Sequence, residues 1–221
     1  PDLGDGRGFL FAQLREPGSG RLMDMGTKGS GQTPFSRAGD GRLTLKGGVR
    51  EVLATTRLEA LGVNTSKTFA LIETGEALYR GDEPSPTRSS VMTRLSHGHI
   101  RIGSFQRPYF LQEQDNLQAL LAYACRTYAP AIYQAAYVDE GGAGAVMAAP
   151  LFLRWVGQNC ANTVADWFAA GFVHGVLNTD NINITGESFD YGPYRFLEQM
   201  DPNKVAASFD PSAVDGSGRT P

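Results

Sequence analysis

The chain has 221 residues, 41% hydrophobic and 19% charged, with a formal net charge of −3. That length buries a real core as one large domain or two small lobes, and the composition is that of a soluble globular protein. The charge argues against a surface that coats nucleic acid and makes no case for a membrane surface; no apolar run approaches a membrane span and no signal peptide opens the chain.

In chain order, residues 8–14 and 21–28 read as short strands separated by the turn Pro17-Gly18-Ser19-Gly20. A Gly-rich stretch, Lys28-Gly29-Ser30-Gly31, leads into polar loop. Val49, Val52, Leu53 and Leu61 recur near helical spacing, which predicts a helix over 43–61 with Gly62 as its stop. Residues 68–73 and 90–95 are strand candidates joined through the loop 80–86. Helices follow over 113–128, with Leu117, Leu120, Leu121 and Ala124 on one face, and over 150–170, with Phe152, Trp155, Val156, Val164, Trp167 and Phe168. Between them, Asp139 to Gly144 reads as a flexible insert. Cys125 and Cys160 both fall in helical patterns and fit reduced core positions rather than a disulfide framework. The chain opens at Pro1 without Met and closes in a linker-like Gly/Ser/Pro tail, so the expectation is a piece of a longer protein.

Several constellations carry chemistry, each with a bland alternative. Lys28 ends a strand candidate and Glu51 lies in the next helix. They are either a phosphate-holding lysine with its glutamate partner or a surface lysine and a solvated glutamate. Gly4-Asp5-Gly6-Arg7 and Gly39-Asp40-Gly41-Arg42 are near-copies. They read as phosphate cradles or as ordinary Asp-Gly turns, and Gly4, Gly6 and Gly8 do not match G-x-G-x-x-G. Arg94 and Arg101 flank a turn and either converge on one phosphate or are solvated. His97 and His99 alternate as a metal pair would, but no cysteine or third histidine stands near them in sequence.

The run His174-Gly175-Val176-Leu177-Asn178-Thr179-Asp180-Asn181, followed by Asp190-Tyr191-Gly192, resembles the catalytic loop and metal-binding turn of protein kinases. Asn181 and Asp190 fall on the metal-binding positions, with oxygens of the kind Mg²⁺ prefers. Val176 falls where the catalytic base belongs, and valine accepts no proton. A carboxylate instead precedes the metal Asn, at Asp180. His174 is expected to order the loop by hydrogen bonding.

Five ordered motifs then resemble the selenoprotein O family, whose members have a kinase fold and transfer AMP. They are Gly4 to Arg7; Lys28 to Arg37 with Gly39 to Arg42; Val49-Arg50-Glu51; Thr93 to Arg101; and Gly171 to Asn181 closing with Asp190 to Pro193. The resemblance implies an α+β, protein-kinase-like two-lobed fold with a β-rich N-lobe (1–112) and a partial helical C-lobe (113–221). Family members are considerably longer, so their C-terminal helices and C-terminal selenocysteine or cysteine are expected to be missing here.

The family binds ATP flipped relative to kinases. By motif, Lys28, Arg94 and Arg101 would hold the terminal phosphates, with Gly4, Gly6, Arg7, Asp40 and Gly41 completing the nucleotide pocket. Glu51 would orient Lys28, Asp180 would be the base, and Asn181 and Asp190 would hold Mg²⁺, or Mn²⁺ in its place. The resemblance thus implies a protein adenylyltransferase acting on Ser, Thr or Tyr hydroxyls, with ATP and proteins as partners and neither nucleic acid nor membrane. It would be cytoplasmic in a bacterium, or mitochondrial in a eukaryote. Two other readings stand beside it: a conventional phosphotransferase with an unusual base, and a non-catalytic ATP-binding pseudokinase module.

Overall fold

The computed structural model describes residues 5–81, 83–139, 141–199, 201 and 206. Strands β1 (Leu10–Arg15) and β2 (Leu22–Lys28) form an antiparallel hairpin in the register Leu10↔Gly26 to Arg15↔Leu22, with one irregularity near Leu10. Its turn closes through the Gly20 amide on the Glu16 carbonyl at 2.8 Å, as the Pro-Gly-Ser-Gly sequence anticipates. Strand β3 is only Leu43–Thr44, and it runs directly into helix α1 (Leu45–Ala60). Thr44 is the reason the chain turns there. Its hydroxyl accepts the Gly47 amide at 3.1 Å and caps the helix.

β4 (Lys67–Leu78) and β5 (Thr87–Ser96) are longer than the sequence pattern indicates. β5 is the hub of the sheet. One edge pairs β4, and the other pairs β2 over Met92 to Ser96 and β3 over Ser89 and Ser90, all antiparallel. α1 lies on this sheet and turns Glu51, Ala54, Thr55 and Leu58 inward.

The rest is mostly helical: α2 (Gly103–Phe110), α3 (Gln114–Tyr128), α4 (Pro130–Tyr133) running into a π-helical turn (Gln134–Val138), and α5 (Ala145–Ala169). The fold is therefore α+β, an antiparallel sheet followed by helices, as in the kinase-like two-lobed class. α2 and the π-turn are absent from the sequence reading. α5 begins before Pro150 rather than at it, and the segment after the π-turn is closed by the Gly144 amide on the Ala136 carbonyl at 2.8 Å. Two short strands, β6 (Phe172–Val173) and β7 (Arg195–Phe196), pair beyond α5. Among the described residues, no helix is long and apolar enough to cross a membrane.

Two cores hold these parts. Leu121, Ala124, Cys125, Tyr128, Phe152, Val156 and Ile184 pack among the helices. Ala54 and Leu58 of α1 pack with Val63, Trp167, Phe172, Tyr191 and Tyr194. The second core joins the α1 side of the sheet to the segment 172–194, the stretch that carries the kinase-like motif. Both cysteines are free thiols; burial pushes Cys125 up to about 11.

Candidate active site

The site is built on a buried set of charges. Lys28 ends β2, Glu51 sits in α1, and both side chains are 3% exposed. They form an ion pair, and Lys28 also meets the Asp190 carboxylate. Arg94 of β5 points into the same space. Its Nη1 donates to the Phe189 carbonyl and stands 3.4 Å from both Glu51 Oε1 and Asp190 Oδ1. Arg7 reaches Asp190 Oδ2 at 3.5 Å. Burial alone would raise the Asp190 pKa, but the charges of Lys28, Arg7 and Arg94 outweigh it and hold the carboxyl well below the usual carboxylate range. Asp190 is an ionised oxygen donor at neutral pH.

Above this floor runs the motif segment. The His174 ring stacks on Trp167 with centroids 5.3 Å apart, and its Nδ1 accepts the Val176 amide at 3.3 Å. Nε2 therefore carries the proton and donates to the Asp190 carbonyl at 2.9 Å, with Ser188 Oγ at 2.8 Å. Burial lowers the His174 pKa, so the ring is neutral. It ties the start of the loop to the backbone of the metal-type aspartate. Further along, Asn178 Oδ1 accepts the Asp180 amide at 2.8 Å and the Asn178 carbonyl accepts the Asn181 amide at 3.0 Å. The Phe189 amide donates to the Asn181 carbonyl at 2.6 Å, which draws positions 181 and 190 together. The Gly103 amide, at the start of α2, donates to the Thr179 carbonyl at 2.8 Å.

These elements surround a cavity of about 680 Å³, within the range of small-molecule sites. Gly6, Arg7, Asp40, Gly41, Arg101, Asp180, Asn181 and Asp190 all line it. Lys28, Glu51 and Arg94 lie beneath it rather than on its wall, and Gly4 lies outside the described residues. Arg94 and Arg101 do converge, but on the Phe189 ring, with guanidinium carbons 4.1 and 4.4 Å from its centroid.

Three arginines on the wall, Arg37, Arg42 and Arg80, were not among the residues read from sequence as site residues. Arg80 grips Asp40 in a bidentate pair at 2.8 and 3.1 Å. Partial burial opposes ionisation of Asp40, but Arg80 and the Arg42 amide more than offset it, and its pKa is lowered. Nothing in a single sequence marks Arg80, because the contact joins the β4–β5 loop to a turn far away in the chain. The histidines serve the packing: His97 Nδ1 donates to the Leu22 carbonyl at 2.7 Å, and the His99 ring sits edge-on to Phe189.

The donor set suits a hard divalent cation. Asp180, Asn181 and Asp190 all line the cavity, and Asp190 is ionised, with its oxygens met by Lys28, Arg94 and Arg7. Among the described residues no group of three or more His, Cys, Asp or Glu forms a cage of its own. An ion held by two protein oxygens plus phosphate oxygens is the usual arrangement for Mg²⁺. Arg7, Arg37, Arg42, Arg80 and Arg101 line the same cavity, a concentration of positive charge that fits a polyphosphate.

An antiparallel sheet with a buried Lys–Glu pair, and a His…Asn…Asp segment closing over it, define a protein of the kinase-like class. Within that class, the family model described as protein adenylyltransferase SelO matches residues 1–214, and the chain belongs to that family. It is similar to proteins named protein nucleotidyltransferase YdiU. The one from Synechocystis is 55% identical over 95% of this chain and 42% of its own length. The one from Gloeobacter violaceus is 54% identical over 95% of this chain and 41% of its length. A more distant one from Marinomonas is 39% identical over 93% and 40%. The chain thus spans about two-fifths of the length of the curated relatives it matches.

Proposed function

We propose that this chain carries the nucleotide site of a protein adenylyltransferase, which moves AMP from ATP to a Ser, Thr or Tyr hydroxyl of a protein. The observation that carries the reading is the placement of carboxylates. Position 176, where a kinase keeps its base, is valine, while Asp180 shares the cavity wall with Asn181 and Asp190. The base has moved and the metal-type oxygens have not.

On this reading Asp180 takes the proton from the substrate hydroxyl as its oxygen bonds to the α-phosphorus. The bond from that phosphorus to the bridging oxygen breaks, and pyrophosphate leaves. Asn181 and Asp190 would hold Mg²⁺, which would offset phosphate charge. Arg101 takes the charge that grows on the leaving pyrophosphate, Lys28 and Arg94 add their positive charge from beneath the cavity, and Glu51 orients Lys28. Gly6, Arg7, Asp40 and Gly41, with Gly4, complete the nucleotide pocket. Residues 1–112 form the phosphate-binding lobe and 113–221 the part of the helical lobe that brings the loop. ATP as donor and bacterial relatives fit a cytoplasmic location.

Incubation with Mg-ATP and a protein acceptor, read by intact mass, tests the reading. The expected result is a gain of one AMP, with pyrophosphate released. Asp180→Ala should reduce the rate by roughly 10²- to 10⁴-fold while ATP still binds. A gain of one phosphate with ADP released would identify a phosphotransferase instead, and wild-type rates in Asp180→Ala would remove Asp180 as base.

A further inference from the structure

Asp40 and Gly41 reach the main cavity on a turn over 39–42, which is held from two sides. On one side is the chain just after β2. The Gly31 amide donates to the Gly41 carbonyl at 3.1 Å, and the Gln32 side chain donates to the Gly39 carbonyl at 2.8 Å. A Cβ at residue 41 would stand 2.1 Å from the Gly31 carbonyl oxygen, so only glycine fits there. On the other side are the end of β4 and the loop that follows it. Three ion pairs cross to them: Arg42 to Glu76 at 3.0 Å, Asp40 to Arg80 at 2.8 Å and Lys46 to Glu83 at 3.6 Å.

The Arg80 pair differs from the other two. Its Nη1 and Nη2 donate to the two carboxylate oxygens of Asp40 at 2.8 and 3.1 Å. Nη1 also donates to the Tyr79 carbonyl at 3.1 Å. The Ser85 hydroxyl accepts the Arg80 amide at 2.8 Å and donates to the Arg80 carbonyl at 3.0 Å, so the loop holds the backbone of the arginine as well. A planar fork fixed in this way sets the orientation of the carboxylate it grips. It also offsets a negative charge that would repel a phosphate chain in the same cavity. Asp40 needs both effects. Its side chain is 47% exposed, and within its own turn the Arg42 amide, at 2.9 Å, holds Oδ1 alone.

We propose that Arg80 is a positioning residue for nucleotide binding: through its fork the β4–β5 loop fixes Asp40, and with it the turn 39–42, against the cavity. The inference rests on the nucleotide reading of the main cavity and adds to it a loop that lies outside every motif of the site. Arg80 acts through the carboxylate rather than on the nucleotide, and the pairs at Glu76 and Glu83 keep the loop alongside the turn.

Titration of Mg-ATP against the wild type, Arg80→Ala, Asp40→Asn, the double variant and Arg80→Lys tests this. Arg80→Ala should weaken ATP about three- to five-fold, the upper range for a partly exposed ion pair. In the Asp40→Asn background the same substitution should cost less than about two-fold, because the carboxylate it acts through is gone. An equal loss in both backgrounds would mean that Arg80 meets the nucleotide itself, and would overturn the positioning role. Arg80→Lys keeps the charge and loses the fork, so it should bind ATP more weakly than the wild type; full affinity there would show that charge alone matters and would overturn it too. Wild-type affinity in Arg80→Ala would remove the loop from the site and leave the nucleotide reading standing. A wild type that binds no Mg-ATP would overturn the nucleotide reading and this inference together.

Discussion

Replacing Glu51 with Gln keeps the shape of the side chain and removes one charge from a buried set that is otherwise balanced. Lys28 and Arg94 face Glu51 and Asp190, and the side chains of Lys28, Arg94 and Glu51 are each 3% exposed. Removing one partner of a buried pair leaves the other charge uncompensated and costs about 3–5 kcal/mol. Asp190 remains against Lys28 and is 25% exposed, so the lower end, about 3 kcal/mol, is expected. Urea unfolding, with a slope of about 1–3 kcal/mol per molar, reads this as a midpoint lowered by roughly 1–3 M. Lys28→Met, which leaves the set negative, should be destabilised to a similar degree. A Glu51→Gln midpoint within about 0.3 M of wild type would mean that the cluster is solvated and the charge balance irrelevant.

Arg101→Ala should weaken ATP by about 10- to 150-fold and leave AMP nearly unchanged in titrations, the worth of a charge-assisted contact; equal losses for both nucleotides would sink the flipped pose. Arg94→Ala, by contrast, should also lower thermal stability, since its guanidinium holds the Phe189 carbonyl inside the protein. The His174 pKa lies below its ordinary 6.5 because the ring is buried, so below pH 6.5 the unfolded chain takes up a proton that the folded protein excludes. Stability should therefore fall as pH drops from 7 towards 5, by at most about 1.4 kcal/mol per pH unit from this group, and urea midpoints of His174→Asn should lack that component. Gly103→Ala places a Cβ 2.6 Å from Asp180 Oδ1 and 3.2 Å from the Thr179 carbonyl. Turnover should drop by up to about 10²-fold with ATP affinity intact, and wild-type turnover would show that the Asp180 position is not critical.

The parts of the fold legible in the sequence are those set by local chemistry. The turn at Gly20 and the existence of α1 need only neighbours in the chain, but the buried face of α1 does not follow from its apolar spacing: Val49, Leu53 and Leu61 are exposed, and the helix turns Glu51, Ala54, Thr55 and Leu58 inward instead. β4 extends beyond the sequence reading because Thr74, Gly75 and Glu76 are exposed and bulge out of the ladder, and pairing with β5 resumes only at Ala77↔Arg88 and Leu78↔Thr87. α2 was missed because it has no capping side chain and carries Pro108; its start is fixed from outside, by the Ile182 and Thr179 carbonyls accepting the Ile102 and Gly103 amides. Pro150 suggested a helix start because proline suits a first turn. It sits instead six residues into α5, and the carbonyl it leaves without a partner belongs to Val146, which is solvent-exposed.

The site follows the same division. The motif residues that line the cavity were readable as motifs. The depth of Lys28, Glu51 and Arg94, the Arg80–Asp40 grip and the fully buried Glu187 were not, because each depends on partners far away in sequence. Glu187 is an instance of how much the sequence hides. It accepts the His97 amide at 2.8 Å and pairs with Arg21 at 3.2 Å, which pins the β5 end and the β1–β2 hairpin to the loop that precedes Asp190.

Asp180 and Asp190 are two carboxylates in one cavity whose surroundings set them apart, and environment is what assigns roles to such pairs. Asp190 is met by Lys28, Arg94 and Arg7, which hold it ionised and weaken it as a proton acceptor. Asp180 has no salt bridge among the described residues, and its neighbours are the Asn178 side chain, which fixes its backbone, and the Gly103 backbone. Arg101 Nη1 reaches the Asp180 carbonyl oxygen at 3.5 Å and leaves the carboxylate unpaired, so on the proposed reading Asp180 is the carboxylate left to accept a proton. Its place is a joint property of two segments. The Asn178 turn lifts residue 180 towards α2, and only a residue without a side chain at 103 leaves room for the carboxylate to lie there. On the proposed reading, a base at 180 rather than 176 needs both a carboxylate there and an opening opposite it. The Arg101-Ile102-Gly103 stretch supplies the opening, and its arginine lines the same cavity.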